Sequence, residues 1–230
     1  MLLSPFFDVL PPEDRASLAR VSVLKSLKRG KVLWRAGERV EHIAAVRNGL
    51  LCVTVDMNGD DEVLCGVLRK DDTLLLGLER GLPCPMAVRA LTACDVTLVP
   101  FEAVEPLFRT HPKAVNYAYR TYVERLYGQR FLGAVLLNAT IEKRLAYAYW
   151  SMSTVDREGR RVLESKVSQA DIGKLIGTSR EEVSRRSALL EQSHYISSED
   201  GVLVLSESLP LLFLSETQVP AFLAAEFGIS

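Results

Sequence analysis

Two helix-start signals, placed eleven residues apart towards the C-terminus, constrain the fold of this chain more than any other feature. Ser168-Gln169-Ala170-Asp171 and Ser179-Arg180-Glu181-Glu182 both fit the capping box. In that motif a serine hydroxyl accepts from a free backbone N–H at the helix start, and an acid three residues later reaches back. Gly177 lies between the two signals and suits the left-handed backbone that ends a helix. Two short capped helices joined through a glycine turn are typical of a helix-turn-helix.

Hydrophobic spacing gives each of these helices a side to bury. The first follows Ser168, and the second is expected from about Arg180 to Gln192. The residues expected in the core are Ile172, Leu175, Ile176, Val183, Leu189 and Leu190. Both helices are therefore expected to pack on one core and to leave their polar faces to solvent.

The N-terminal half of the second helix carries side chains that suit base recognition. Arg180, Glu181, Ser184 and Arg185 fall within its first two turns, the part of such a helix that enters a major groove. Arginine can donate to guanine O6 and N7, glutamate can accept from cytosine N4, and serine can reach a base or a phosphate. For any one of these residues a solvated helix face is the simpler interpretation, but the ordered set favours double-stranded DNA as the partner.

A short hairpin is predicted after the second helix. Residues 195–197 and 202–205 are strand-like, and Ser198-Glu199-Asp200-Gly201 between them is typical of a turn. This hairpin would form the wing of a winged helix-turn-helix.

The first hundred residues show a different pattern. From about Val21 to Phe101, short runs rich in Val, Leu, Ile and Thr alternate with turn signals, as in an all-β sandwich or barrel. The turn signals are Lys28-Arg29-Gly30-Lys31, Arg35-Ala36-Gly37-Glu38, Arg47-Asn48-Gly49, Asn58-Gly59-Asp60-Asp61 and Lys70-Asp71-Asp72. A small antiparallel β-domain is expected here, with 50–55 among its strands.

A long helix is predicted from about Pro112 to Asn138, where turn formers are sparse. Its apolar stripe consists of Tyr119, Val123, Leu126, Gly133 and Leu137. The stripe could simply cover the β-domain, but we favour a second role as a two-fold seam. Arg130 lies along this seam and leaves its register open. A further helix is expected over 141–152, which places the domain boundary near Asn138.

Composition narrows the class of protein. No stretch approaches the roughly 18 uninterrupted apolar residues of a membrane span, and the start lacks the basic flank of a signal peptide, so we expect a cytoplasmic protein without a membrane partner. Cys52, Cys65, Cys84 and Cys94 show no CxxC spacing and are expected to be mostly buried thiols, with no metal site or disulfide framework. Because the formal net charge is −1, DNA contacts must come from a local patch that symmetry doubles.

The segment 172–185, IGKLIGTSREEVSR, closely resembles the helix-turn-helix signature of the cyclic-AMP receptor protein/FNR (CRP/FNR) family of bacterial transcription regulators. Residues 30–38 (GKVLWRAGE) and 46–49 (VRNG) are similar to the β-roll of that family. Residues 138–145 (NATIEKRL) are similar to its hinge and to the first helix of its DNA-binding domain. The resemblance thus covers most of the chain.

This resemblance implies an α+β fold in three parts. They are a cupin-like double-stranded β-roll sensor, similar to a cyclic nucleotide-binding domain, over 1–108, a dimerisation helix over 109–138, and a winged helix-turn-helix DNA-binding domain with a C-terminal tail over 139–230. It further implies a homodimer on a palindrome whose half-sites lie about one helical turn apart. RNA polymerase is implied as a second partner.

The resemblance also assigns roles to residues. The positions that match Arg180, Glu181 and Arg185 read base edges in the family, and Glu181, Ser184 and Arg185 fit the E-x-x-S-R pattern of the FNR branch. The remaining residues predicted at the DNA are Ser168, Lys174 and Ser179, with Lys166 and Lys174 placed near phosphates. Two positions depart from the family pattern: Arg186 replaces an apolar residue, and His194 replaces a glycine that tolerates positive φ.

No cofactor is predicted for the β-domain. The cyclic-nucleotide members hold the phosphate with a Gly-Glu pair and an Arg followed by Ser or Thr, but residues 75–87 contain Pro85-Met86 there, which argues against cyclic AMP. The first cysteine is Cys52, which argues against the N-terminal iron–sulfur cluster of the FNR branch. Haem through His42 or His111 is less favoured than two ordinary histidines.

Two further signals stay open. Cys84 lies between two prolines and could be an exposed reactive thiol, although no neighbouring base lowers its pKa, and an inert thiol is favoured. An apolar small-molecule effector in the β-roll, contacted by Tyr119, Tyr122 or Tyr127 of the long helix, is equally compatible with the sequence.

Two other functions are compatible with parts of the sequence. One is a ligand-binding β-roll whose winged helix serves protein interaction instead of DNA reading. The other is a cupin-type enzyme, which needs clustered His and Glu ligands; the scattered His42, His111 and His194 do not provide them, so no enzymatic activity is expected.

Overall fold

The structure, a computed structural model, describes residues 4–56, 62–75, 83–163 and 167–214. The chain divides into two compact units between Val123 and Glu124. This division falls inside the long helix, whereas the sequence places the domain boundary near Asn138.

The N-terminal unit contains two four-stranded antiparallel sheets, with strand orders β1-β8-β3-β6 and β2-β7-β4-β5. The strands are β1 (Val23–Leu27), β2 (Val32–Trp34), β3 (His42–Asn48), β4 (Leu51–Asp56), β5 (Glu62–Leu68), β6 (Thr73–Leu74), β7 (Ala87–Ala90) and β8 (Cys94–Pro100). Strands that follow each other in sequence mostly lie in different sheets, as in a double-stranded β-roll. The predicted β-roll is therefore confirmed.

Alternate residues of these strands fill the roll. Ala44 and Val46 of β3 and Leu51 and Val53 of β4 point into one apolar cluster. Gly49 joins these two strands with a φ of +68°, and a Cβ at this position would lie 2.2 Å from the Ala93 carbonyl oxygen. Only glycine fits this turn, which agrees with the predicted turn signal at 47–49. The predicted turn at 58–61 lies outside the described residues.

Three helices that the sequence analysis did not predict pack on the outer side of the β3–β8 sheet. They are α1 (Pro5–Asp8), α2 (Pro12–Val21) and α3 (Phe101–Thr110). Ser4 caps α1, and Phe6 and Phe7 are fully buried beside Ile43 of β3. The predicted limit of the sensor domain at residue 108 consequently lies inside α3.

The predicted long helix is present as α4 (Pro112–Asn138). Its first turns bury Ala114 and Ala118 in the same cluster as α1, so this end covers the β-domain. The residues of the predicted stripe differ in burial: Tyr119 and Leu137 are exposed, while Val123, Leu126 and Gly133 are half-buried. Arg130, which interrupts the stripe, is exposed.

The C-terminal unit combines helices with a small antiparallel sheet of order β11-β12-β10-β9. Its elements are α5 (Ile141–Met152), β9 (Thr154–Val155), β10 (Arg161–Leu163), α6 (Gln169–Ile176), α7 (Arg180–Gln192), β11 (Ile196–Glu199), β12 (Val202–Leu205) and α8 (Leu211–Leu214). The predicted helices over 141–152 and 180–192 are confirmed. The predicted hairpin is present, but Ser198 and Glu199, which were assigned to its turn, belong to β11. Within residues 4–56, 62–75, 83–163 and 167–214, no helix is long and apolar enough to cross a membrane.

Candidate nucleic-acid interface

Helix α6 begins and ends at the residues that the sequence predicts. The Ser168 hydroxyl accepts from the Asp171 backbone N–H at 3.1 Å and lies 2.7 Å from the Asp171 carboxylate. Gly177 adopts a left-handed conformation with a φ of 68°, and its N–H donates to the Gly173 carbonyl oxygen. The Thr178 N–H donates to the same oxygen at 2.9 Å, so the turn is tied directly to α6.

Helix α7 starts at its predicted cap, but the acid of the box has a different use. The Ser179 hydroxyl accepts from the Glu182 backbone N–H at 3.2 Å. The Glu182 carboxylate accepts from Arg185 and Arg186 on the next turn of α7. The cap is therefore the serine alone, and the reciprocal half of the predicted box is replaced by ion pairs.

The buried face of α7 is narrower than predicted. Val183 and Leu190 are buried, whereas Leu189 is 42% exposed, so the prediction that Leu189 lies in the core is wrong. Leu189 precedes Leu190 and lies about 100° away from it around the helix axis, and only Leu190 points at the core.

The four side chains predicted to read bases share the exposed side of α7. The side chains of Arg180, Glu181 and Ser184 make no hydrogen bond or ion pair with any other described residue. Arg185 is exposed too, but its Nη2 donates to Glu182. This surface, which we call the reading face (Arg180, Glu181, Ser184, Arg185), carries two cations against one anion.

An ion-pair chain ties the reading face to α5, and the sequence analysis missed it. The Arg186 Nε donates to Glu182 Oε1 at 2.6 Å, and the Arg186 Nη1 donates to Glu142 Oε1 on α5. The one available signal was Arg186 itself, a cation at a position where the resemblance implies an apolar residue.

Polar contacts across buried surface also hold α7 and α6 on α5. The Tyr149 hydroxyl and the Ser187 hydroxyl are 2.7 Å apart, and burial raises the pKa of Tyr149 despite this hydrogen bond. The Arg144 Nη1 donates to the Ile176 carbonyl oxygen, one of the free acceptors at the end of α6. Helix α5 therefore fixes where both helices of the motif lie.

The backbone has positive φ values just before the wing hairpin and at its tip. His194 has a φ of 59°, the left-handed conformation expected where the family pattern has glycine. At the tip of the hairpin, Asp200 and Gly201 have φ values of 49° and 80°, which suit a two-residue turn. Arg160 links the β9–β10 turn to the wing through Asp156 at 3.0 Å and Glu199 at 3.2 Å.

The remaining predicted contacts lie around the motif. Lys174 is exposed on α6, and Ser168 and Ser179 use their hydroxyl groups as caps at the two helix starts. Lys166 lies outside the described residues. The assignment of these residues to DNA stays a prediction.

Two family models match this architecture. Residues 24–111 match the cyclic nucleotide-binding domain, and residues 143–208 match the Crp-like helix-turn-helix domain. Together these matches cover more than half of the chain, in the order that the resemblance implies. The chain belongs to the CRP/FNR family of transcription regulators.

Curated relatives agree with this assignment. The fumarate and nitrate reduction regulatory protein of Vibrio cholerae is 24% identical over 83% of this chain and 78% of its own length. The transcriptional activator protein Anr of Pseudomonas aeruginosa is 24% identical over 91% of this chain and 88% of its own length.

Solved structures share the fold of this CRP/FNR regulator. FixK2 from Bradyrhizobium japonicum matches with a TM-score of 0.70 at 20% identity, covering 84% of this chain and 97% of FixK2. The c-di-GMP-responsive regulator CLP of Xanthomonas campestris matches with a TM-score of 0.60 at 18% identity, covering 85% of this chain and 99% of CLP.

The cysteines of this regulator are mostly buried, as predicted. Cys52, Cys84 and Cys94 are buried, and Cys65 is half-buried. The Cys84 thiol donates to the Met86 carbonyl oxygen at 2.8 Å, and burial raises its pKa. The thiol is therefore not exposed, as the reactive alternative requires, and its inertness stays a prediction. Burial also raises the pKa of Cys94 to about 11.

The histidines and tyrosines that the sequence offers to an effector lie on several elements. His111 Nε2 lies 2.8 Å from the Asp14 carboxylate, and His42 lies on β3. Tyr119, Tyr122 and Tyr127 are all exposed on α4. Tyr117, which the sequence analysis did not select, is the tyrosine of this helix that packs against the N-terminal apolar cluster.

The stretch that corresponds to the phosphate cradle is described only in part, since residues 76–82 lie outside the described residues. Over the described ranges, the buried polar side chains are all serine or threonine, and no charged side chain is buried. No group of His, Cys, Asp and Glu within these ranges is arranged to hold a metal ion.

Proposed function

We propose that this CRP/FNR regulator acts as a homodimer on a palindromic operator, with RNA polymerase as a second partner and with a signal other than cyclic AMP received by the β-roll. The observation that carries DNA reading is the reading face. It lies on the N-terminal half of a helix whose start is capped by Ser179 and whose position is fixed by α5.

The chemistry of the reading face supports distinct roles. Arg180 and Arg185 supply paired N–H donors for guanine, and Glu181 supplies an acceptor for cytosine N4. Ser184 can reach a base or a phosphate. Lys174 on α6 is exposed and supplies a cation for a phosphate, which contributes affinity without sequence preference.

Selection from a randomised DNA library at fixed salt tests this function. We expect the full-length protein to enrich a palindrome with half-sites about 10 base pairs apart, centre to centre. A library from which no palindrome is enriched would overturn the proposal and favour a winged helix that binds protein.

The exposed apolar side chains of α4 support the homodimer. Val115, Tyr119, Tyr122, Tyr127 and Leu137 are each more than 40% exposed in the single chain. Val115, Tyr119 and Tyr122 follow each other at four- and three-residue steps, which is the spacing of a helix–helix seam. A second copy of the same helix would cover them symmetrically.

We expect the protein to have about twice the monomer mass of 25.6 kDa in solution, and the double variant Tyr119→Glu/Tyr122→Glu to be monomeric. Two carboxylates on the seam would face two more across the two-fold axis, where burial of charge is unfavourable. Lys113→Glu, also exposed on α4, is the matched control because it changes the net charge equally, and it should remain a dimer. Light scattering at micromolar concentration measures the mass of the parent protein and of both variants. A parent protein of monomer mass would contradict the proposal.

The described part of the β-roll buries no charged side chain, and this supports a signal other than cyclic AMP. A bound phosphate needs charged or N–H donors around it, because an anion without partners is costly to bury. At the described end of the corresponding stretch, 83–87, the structure presents Pro83, buried Cys84, Pro85 and Met86.

Cyclic AMP is expected neither to raise the melting temperature nor to be required for operator binding. A ligand that binds only the folded protein stabilises it by RT ln(1 + [L]/Kd), about 2.7 kcal/mol at a hundredfold excess over Kd. A thermal-shift titration read beside an operator-binding assay makes the measurement. A dose-dependent rise would show that the folded protein binds cyclic AMP and would contradict this prediction.

A further inference from the structure

Four charged side chains of alternating sign run from α5 to the reading face. In order they are Glu142 on α5, then Arg186, Glu182 and Arg185 on α7. Arg186 donates to both glutamates, and Glu182 accepts from both arginines through different carboxylate oxygens. Each inner member is therefore held from two sides.

Exposure changes along this chain of charges. The side-chain exposures of Glu182, Arg186 and Glu142 are 16%, 28% and 33%, whereas Arg185 at the outer end is 66% exposed. Charges that are partly removed from water interact more strongly than fully exposed ones. The contacts among the three inner groups are therefore the stronger ones, and Arg185 is the exposed outer member that Glu182 can restrain.

The contact between Glu182 and Arg185 leaves the arginine able to read a base. Only Nη2 of Arg185 donates to the carboxylate. The guanidinium has five N–H donors in a planar fork, so enough of them remain for the edge of a guanine. An arginine already restrained in this way loses less conformational freedom on binding.

We propose that Glu182 is a positioning residue for base recognition, which holds Arg185 in the orientation that reads its base pair. Arg186 fixes the Glu182 carboxylate, and Glu142 fixes Arg186. This inference rests on the proposed function, since it requires that Arg185 contacts a base. It also gives a reason for a cation at position 186: an apolar side chain there would leave Glu182 restrained only by the arginine it orients.

The test is the base preference of Glu182→Gln, measured by library selection at fixed salt with the full-length protein. The substitution keeps the backbone N–H that Ser179 accepts from and removes only the charge. We expect the preference at the base pair read by Arg185 to fall about threefold or more, the coupling range of residues in one network. Removing an anion also raises affinity for all sequences alike, so affinity alone does not decide the outcome.

Two comparisons distinguish positioning from a general effect. Glu191→Gln removes the same charge from an exposed site near the end of α7 and should leave every base preference unchanged. In an Arg185→Ala background, Glu182→Gln should no longer change any preference, because the group it orients is gone. Glu142→Gln should weaken preference at the same base pair although the substituted residue lies on α5, outside α7. This variant replaces Glu182→Gln if Glu182→Gln does not fold.

Each result has a separate meaning. If the parent enriches a palindrome and Glu182→Gln keeps the full preference of the parent, the positioning role is overturned while the proposed function stands. If Glu182→Gln changes preference equally with and without Arg185, Glu182 acts on another group and the inference is also overturned. If the parent enriches no site, the proposed function itself has failed.

Discussion

Replacing Arg185 with alanine is expected to abolish preference at one base pair in each half-site. The substitution removes a guanine contact worth about 1–3 kcal/mol, and a symmetric dimer loses it twice, about 2–6 kcal/mol in all. Binding to the palindrome should therefore weaken by roughly thirtyfold to twenty-thousandfold. Library selection at fixed salt measures the preference, and competition binding to the enriched operator measures the loss. Arg180→Ala should act in the same way at a different base pair.

Lys174→Ala provides the control for this prediction. Lys174 is exposed on α6, so its loss should weaken binding to all sequences similarly and lower the salt slope by about 0.9 for each phosphate contact removed. The assignment of α7 as the reading helix would be refuted by a Lys174→Ala variant with altered base preference beside an Arg185→Ala variant without one.

Replacing Gly173 with alanine is expected to destabilise the helix-turn-helix and to abolish operator binding. A Cβ on Gly173 would lie 2.6 Å from the Thr178 carbonyl oxygen and 3.4 Å from the Ser179 carbonyl carbon. Alanine gains about 0.5–1 kcal/mol in helix propensity, but forcing an atom into a packed site costs about 1–3 kcal/mol. The clash prevails because the turn is hydrogen-bonded to α6 and cannot move freely. Its displacement would shift the start of α7.

Gly128→Ala on α4 is the matched control. No atom lies within 4 Å of a Cβ at that position, so this variant should gain the propensity term of about 0.5–1 kcal/mol. Thermal unfolding followed by circular dichroism compares the two variants, and an operator-binding assay reports function. Equal stability of the two variants, with operator binding retained by both, would show that α6 and the turn are not in close contact.

Local signals made the helix-turn-helix predictable. Serine caps, a glycine in the left-handed region and apolar spacing act within a few residues, so Ser168, Gly177 and Ser179 could be assigned before the fold was known. The length of α4 was predictable for the same reason, since turn formers are sparse throughout it. The assignment of the β-domain as a β-roll came only from the resemblance, and its strand order was not predicted, because pairing between distant strands leaves no local trace.

Tertiary contacts explain what the sequence did not predict. Leu189 was assigned to the core because its type fits, but which leucine of an adjacent pair is buried depends on where α5 lies. Helix α1 has only four residues and is held by Phe6 and Phe7 in a cluster built from distant elements. Glu182 fitted the capping box but pairs with Arg185 and Arg186, and Arg186 also pairs with Glu142, which lies forty residues from Glu182 in sequence.

The acidic tip of the wing affects how this regulator would search a chromosome. Glu199 and Asp200 lie at the hairpin turn, where Arg160 pairs with Glu199, and the whole chain has a formal net charge of −1. Nonspecific attraction to DNA comes from cations that displace counterions from phosphates, and carboxylates displace none. Bulk DNA would consequently sequester little of this protein. DNA-bound protein would then be found mainly at sites whose bases the reading face contacts. This favours a high ratio of specific to nonspecific binding over tight binding to DNA in general.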